Sequence, residues 1–95
     1  MALPHDPKLD ALFEAILSLK DNSECYAFFD DVCTIKEVHD MADRLDVARL
    51  LMQGITYEQI EKQTGMSSAT ISRVNRCIHY GPGGYKLAVD RTKKE

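Results

Sequence analysis

Residues 56–78, read as Thr-Tyr-Glu-Gln-Ile-Glu-Lys-Gln-Thr-Gly-Met-Ser-Ser-Ala-Thr-Ile-Ser-Arg-Val-Asn-Arg-Cys-Ile, constrain this chain more than any other stretch. Ile60, Met66, Ile71 and Val74 are spaced as the apolar points of two short helices crossing over a tight turn. Gly65 stands where the first helix must end in left-handed backbone. This is the spacing of a helix-turn-helix. Ser67 is placed to cap the second helix, whose body is predicted over Ser68 to Ile78. At about 100° per residue, Ile71, Val74 and Ile78 share one face. Ala69, Ser72, Arg73 and Arg76 fall on the other at i, i+3, i+4 and i+7.

An outer face that is small, hydroxylic and basic suits the major groove of double-stranded DNA. Ala and Ser let a helix approach base edges, and guanidinium groups reach guanine acceptors or phosphates. Ser68, Ala69, Ser72 and Arg73 are therefore expected to face bases, with Arg76 on a phosphate. The plainer alternative is a helical hairpin whose polar face meets only water. Gly-Met-Ser at the turn and a basic outer face coincide on one segment, which favours DNA.

With 95 residues, one domain over 1–95 is expected, with a core small enough that oligomerisation would help to stabilise it. A formal charge of −3 argues against a protein that coats nucleic acid indiscriminately. That average hides a division. Up to Gln53 there are eleven acids and five bases, a balance of −6; from Gly54 onward, four acids and seven bases give +3. The half that holds the helix-turn-helix is the electropositive one.

Cys25, Cys33 and Cys77 are odd in number and form no C-x-x-C pair, and no basic-then-apolar leader opens the chain, so a reducing cytoplasm is expected. All three cysteines are predicted to be small buried hydrophobes. His5, His39 and His79 pair with no cysteine at finger spacing, so neither a metal nor another cofactor is expected. No apolar run approaches membrane-spanning length, and no membrane partner is predicted.

Elsewhere the apolar period is helical and no alternating segment of strand length occurs, so the fold class is all-α. Leu9, Leu12, Phe13, Ile16 and Leu17 predict an amphipathic helix from about Pro7 to Lys20, after a loose arm over residues 1–6. Asp21-Asn22-Ser23-Glu24 begins a second helix with Tyr26, Phe29, Val32 and Cys33 inward. Thr34 and Glu37 form a capping box for a long central helix to about Gln53. Its main apolar face is Val38, Met41, Ala42, Leu45, Ala48 and Met52, widened by Val47, Leu50 and Leu51. Gly54 ends that helix and Thr56 caps the next. Residues 79–85, with three glycines and a proline, predict a turn or hinge. A short last helix follows from Tyr85 to Arg91, with Leu87 and Ala88 inward, before a fraying tail that includes residues 92–95. The first two helices carry more apolar surface than one small domain can bury, which predicts an interlocked homodimer. Its two recognition helices would enter successive major grooves.

From Leu12 to Tyr85 the chain resembles the bacterial Trp-repressor-related proteins of the YerC/YecD type. The resemblance rests on Glu-Ala-Ile-Leu-Ser-Leu-Lys at 14–20, Glu-Cys-Tyr-x-Phe-Phe-x-Asp at 24–31 and Cys-Thr-Ile-Lys-Glu at 33–37. It rests further on Arg-Leu-Asp-Val-Ala-Arg at 44–49 and Ser-Ala-Thr-Ile-Ser-Arg-Val-Asn-Arg-Cys at 68–77. It implies an intertwined all-helical dimer of the Trp-repressor fold and a DNA-binding regulator of transcription, a repressor. It also implies a small-molecule effector site, since Thr34, Arg44 and Arg73 fall where Trp repressor holds its amino-acid corepressor. Two arginines near one carboxylate would make a sound anion clamp. Val74 stands where that repressor has glycine, and Cys77 where it has serine. A valine would intrude on the space of an indole, so the expected effector is not tryptophan.

A second departure concerns the first helix of the motif, where Trp repressor is basic and this chain has Glu58 and Glu61, with Lys62 the one cation nearby. Phosphate contacts are then expected from Thr56, Tyr57 or Gln59, from the amides at Ser67, Ser68, Ala69 and Thr70, and from Arg73, Arg76 and the basic tail. The competing function is a helical protein-interaction module with weak or no DNA binding, favoured by the same two glutamates. An enzyme is not expected. No nucleophile sits beside a base in a motif, and the glycines at 81–84 match no phosphate-cradling pattern.

Overall fold

A computed structural model describes residues 3–93, and every regular element among them is a helix. In chain order these are α1 (Pro7–Leu17), α2 (Asn22–Val32), α3 (Ile35–Met52), α4 (Tyr57–Thr64), α5 (Ser68–Tyr80) and α6 (Gly84–Arg91). The chain divides into two compact units, one ending at Val38 and the other beginning at His39.

In the first unit each helix start is fixed by a carboxylate. Asp6 Oδ1 accepts the Lys8 N–H at 2.7 Å and opens α1 with Pro7 as its first residue. Asp21 Oδ1 accepts the Glu24 N–H at 2.9 Å, and Glu24 Oε1 reaches back to the Lys20 N–H at 2.8 Å. This reciprocal pair explains why α1 stops at Leu17 and not at the expected Lys20: the Lys20 amide belongs to the cap of α2. Ser18 closes α1 by donating its hydroxyl to the Ala15 carbonyl at 2.6 Å.

Neither α1 nor α2 contains a buried residue. Phe13, Leu17, Tyr26 and Val32 are all exposed, Leu17 at 83% and Tyr26 at 80%. Within the second helix Phe29 and Cys33 are half-buried, while Tyr26 and Val32, predicted to face inward, meet solvent. Phe28 supplies a partner instead, with its ring edge-on to Phe29 at 5.3 Å.

The predicted capping box at the start of α3 is present: the Glu37 N–H donates to Thr34 Oγ1 at 3.1 Å and the Thr34 N–H to Glu37 Oε1 at 2.8 Å. Along α3, Val47 and Ala48 are completely buried, whereas Met41 and Ala42 of the predicted main face are exposed. Ala48 of the predicted main face and Val47, expected only to widen it, thus anchor the helix in the second unit.

That unit is built on Val47 and Ala48 from α3, Ile60 from α4, and Ile71 and Val74 from α5. Leu50, Leu51, Ile55, Met66, Ile78 and Tyr85 pack around them. The chain leaves α3 through Gly54, at φ +82°, whose N–H donates to Leu51 O at 3.0 Å while the Ile55 N–H donates to Leu50 O at 3.1 Å. These two bonds are a Schellman closure, and Leu50 and Ile55, joined by the second of them, both pack against the buried cluster. In α6 the inward residues are Val89 and Tyr85; Leu87 and Ala88, expected inward, are exposed. The helix begins at Gly84, one residue earlier than predicted.

The tail was expected to fray, yet Thr92 donates its hydroxyl to the Ala88 carbonyl at 2.7 Å. Met1, Ala2, Lys94 and Glu95, within the arm and tail expected to be flexible, lie outside the described residues. All three cysteines are free thiols, but they are not buried: Cys25 and Cys33 are half-exposed and Cys77 is exposed. Cys77 follows Ile71 by six positions and so falls off the inward line of Ile71, Val74 and Ile78. Among the described residues, no helix is long and apolar enough to cross a membrane.

Candidate nucleic-acid interface

The turn between α4 and α5 is held by side chains as much as by backbone. Thr56 Oγ1 caps α4 by accepting the Gln59 N–H at 3.3 Å. At the far end Gly65 takes φ +73° and donates its N–H to Glu61 O at 2.9 Å. Thr64 then makes a bond that its place in the sequence gave no reason to expect. Its hydroxyl donates to Ile60 O at 2.7 Å and accepts the Met66 N–H at 3.1 Å, linking the last turn of α4 to the connecting segment.

Ser67 begins α5. Its Oγ accepts the Thr70 N–H at 3.2 Å and lies 3.1 Å from Thr70 Oγ1. Ile71 and Val74 are buried beneath the helix, so its rotation about its own axis is fixed. Ser68, Ala69, Arg73 and Arg76 consequently face solvent, while Thr70 and Ser72 are half-buried at the edges of that face. No acidic residue occurs anywhere in α5. Among the described residues, neither Arg73 nor Arg76 forms an ion pair.

On α4, Thr56, Tyr57 and Gln59 are exposed at the helix start, where a phosphate would meet backbone N–H groups. The same helix carries the unfavourable charges. Glu58 pairs with Lys62 at 3.6 Å, and Glu61 is exposed on the same short element.

The three residues expected to hold an effector are distributed between the units, with Thr34 in the first and Arg44 and Arg73 in the second. Thr34 is occupied in the α3 cap, and the same bonds hold the Glu37 carboxyl below its ordinary pKa. The Thr34 backbone N–H is the larger cause and the Thr34 hydroxyl the smaller. Arg44 is exposed. Val74, which stands against an indole in the sequence argument, is 2% exposed and belongs to the core.

One residue of the outer face was missed. α5 continues past Ile78 to Tyr80, which is 86% exposed and stands at i+11 from Ala69 and i+7 from Arg73. Extending the same helical count through the residues assigned to a hinge would have found it.

Comparison with known proteins agrees with this architecture. The family model described as Trp repressor protein matches residues 7–93. The uncharacterized protein YerC of Bacillus subtilis is 59% identical over 87 residues, covering 92% of this chain and 84% of that protein. A crystal structure of a candidate Trp repressor from Staphylococcus aureus matches with a TM-score of 0.90 at 46% identity, covering 96% of this chain and 91% of that one. A TrpR-like protein from Eubacterium eligens matches with a TM-score of 0.89, also at 46% identity, over 95% of each chain. An all-α chain with a capped helix-turn-helix, matched over nearly its whole length in sequence and in structure, belongs to the Trp repressor family, in its YerC-type branch.

Proposed function

We propose that the protein is a sequence-specific DNA-binding regulator of transcription, a repressor acting as a homodimer through α4 and α5. The observation that carries this reading is the outer face of α5. Two arginines without ion-pair partners among the described residues stand beside an alanine and a serine, on a helix that lacks acids and whose orientation is fixed by buried Ile71 and Val74. Such a face can approach base edges through Ser68, Ala69 and Ser72, place Arg73 on a base, and give Arg76 a phosphate. Thr56, Tyr57 and Gln59 at the start of α4, with Ser67 and Thr70 at the start of α5, supply the neutral phosphate contacts. The match to the Trp repressor family model over residues 7–93 supports the same reading.

The homodimer is supported by the first unit, where Leu17, Tyr26 and Val32 are exposed and neither α1 nor α2 buries a side chain. A second copy offers the same apolar surface and would cover it isologously. A small anionic effector, different from tryptophan, would use the exposed cations Arg44 and Arg73.

The test selects binding sites from a pool of duplexes with a randomised core and then measures affinity by fluorescence anisotropy across a salt series. Enrichment of one sequence, a steep fall in affinity with salt, and a loss on Arg73→Ala are the expected results. Absence of enrichment together with salt-insensitive or absent binding would move the function to a helical protein-interaction module, which exposed Glu58 and Glu61 favour. Sedimentation at micromolar concentration tests the dimer, and a monomer there would remove it.

A further inference from the structure

We infer that Tyr80 is a DNA-contacting residue, the last member of the α5 outer face, donating its phenolic hydroxyl to a backbone phosphate at the wall of the groove. The inference rests on the DNA-binding reading above and extends it to a residue outside the helix-turn-helix as read from the sequence.

Three observations carry it. The first is register. α5 ends only where the Gly81 N–H donates to the Cys77 carbonyl at 2.8 Å, so Tyr80 is a helical residue and not part of a hinge. At about 100° per residue it lies roughly 20° from the line of Ala69 and of Arg73, directly along the face that carries Arg76.

The second is exposure. Tyr80 is 86% exposed, the most of any large apolar side chain among the described residues. Among the described residues the ring that stands near it is that of His79, tilted at 6.4 Å between centroids, and the Tyr80 hydroxyl has no hydrogen-bond partner. A phenol oriented this way keeps both a donor and an apolar ring available to a ligand.

The third is charge and length. No acid interrupts the face from Ala69 to Tyr80. At about 1.5 Å per residue the two ends are separated by roughly 16 Å, more than the ~12 Å width of the major groove. If Ala69 meets base edges, the far end of the helix has passed beyond the groove floor and faces the sugar-phosphate wall. There a neutral hydroxyl donor positions the helix without reading sequence. The same geometry divides the labour along α5: specificity from residues 68–73, and register on the backbone from Arg76 and Tyr80.

The test compares wild type, Tyr80→Ala, Tyr80→Phe, Arg73→Ala and Arg76→Ala on two duplexes, one selected from the randomised pool and one scrambled. Tyr80→Ala is expected to weaken binding about three- to tenfold on both duplexes alike, with Tyr80→Phe accounting for most of that loss. Because no charge is removed, its salt slope should equal that of wild type, whereas Arg76→Ala should lower the slope by about one. Wild-type affinity of Tyr80→Ala on both duplexes, with Arg73→Ala still impaired, overturns the role of Tyr80 and leaves the DNA-binding reading standing. A Tyr80→Ala protein that changes sedimentation and not DNA affinity also overturns it, assigning the ring to a contact between copies. Failure of wild type to bind either duplex removes both inferences.

Discussion

Lys62 Nζ stands 3.6 Å from Glu58 Oε1, one helical turn away on α4. The pair is exposed at both ends and contributes little to stability, but it decides what α4 can offer a polyanion. The one cation of that helix is already paired, and Glu61 is left as an exposed negative charge on α4. Glu61→Gln is therefore expected to tighten DNA binding about two- to fivefold at low salt, with the gain shrinking as salt screens it. An unchanged affinity in anisotropy titrations at two ionic strengths would place α4 away from the duplex.

Gly65 separates backbone strain from packing. Its φ of +73° is one that L side chains rarely adopt, yet a Cβ added there would meet nothing within 4 Å. Gly65→Ala should cost about 1–2 kcal/mol in urea unfolding through the backbone alone. Gly65→Asn should cost less, because asparagine tolerates the left-handed region. Equal losses for the two variants would show that something other than φ sets the penalty.

Ile71 and Arg73 are two positions apart and should behave oppositely. Ile71 is completely buried against Val47, Ala48, Ile60 and Val74, so Ile71→Ala is expected to cost about 2–5 kcal/mol. Against a total of about 5–15 kcal/mol for a typical domain, that loss should lower the melting temperature markedly. Arg73→Ala removes an exposed side chain and should leave stability within about 0.5 kcal/mol while impairing DNA binding. Calorimetry on both variants checks the contrast, which fails if Arg73→Ala melts early.

Glu37 gives a pH dependence with a definite sign. Its carboxyl is held below the ordinary glutamate pKa, first by the Thr34 N–H and then by the Thr34 hydroxyl. The cap therefore adds stability at pH above the ordinary glutamate range, and that contribution is lost as the pH falls through the lowered folded value. A side-chain carbon NMR titration should find the Glu37 midpoint below those of the exposed glutamates. Thr34→Ala should restore only part of the difference, since the backbone bond survives. A full return to the ordinary value would make the hydroxyl the principal partner.

Local chemistry made most helix boundaries readable. Asp21 with Glu24, Thr34 with Glu37, Thr56, Ser67, Gly54 and Gly65 each satisfy or close off backbone groups within a few residues, and such bonds are written in the sequence. What escaped was competition and rotation. The end of α1 depended on whether the Lys20 amide would join its own helix or the cap of the next. The inward sides of α2, α3 and α6 depended on which neighbour each helix met, and an apolar residue such as Met41, Leu87 or Val32 does not name its partner. For the outer face of α5, the periodicity placed Ala69, Arg73 and Arg76 on the exposed side. It stopped at Ile78 because glycine and proline were taken to break the helix before Gly81, which left Tyr80 unread.

The first unit hides no side chain of α1 or α2, whereas the second closes around the buried cluster of Val47, Ala48, Ile60, Ile71 and Val74. A protomer that finishes its hydrophobic interior only by meeting a twin would have a melting point that climbs with protein concentration. Gene dosage would then govern occupancy twice: once through the number of molecules present, and again through the fraction of them competent to grip an operator.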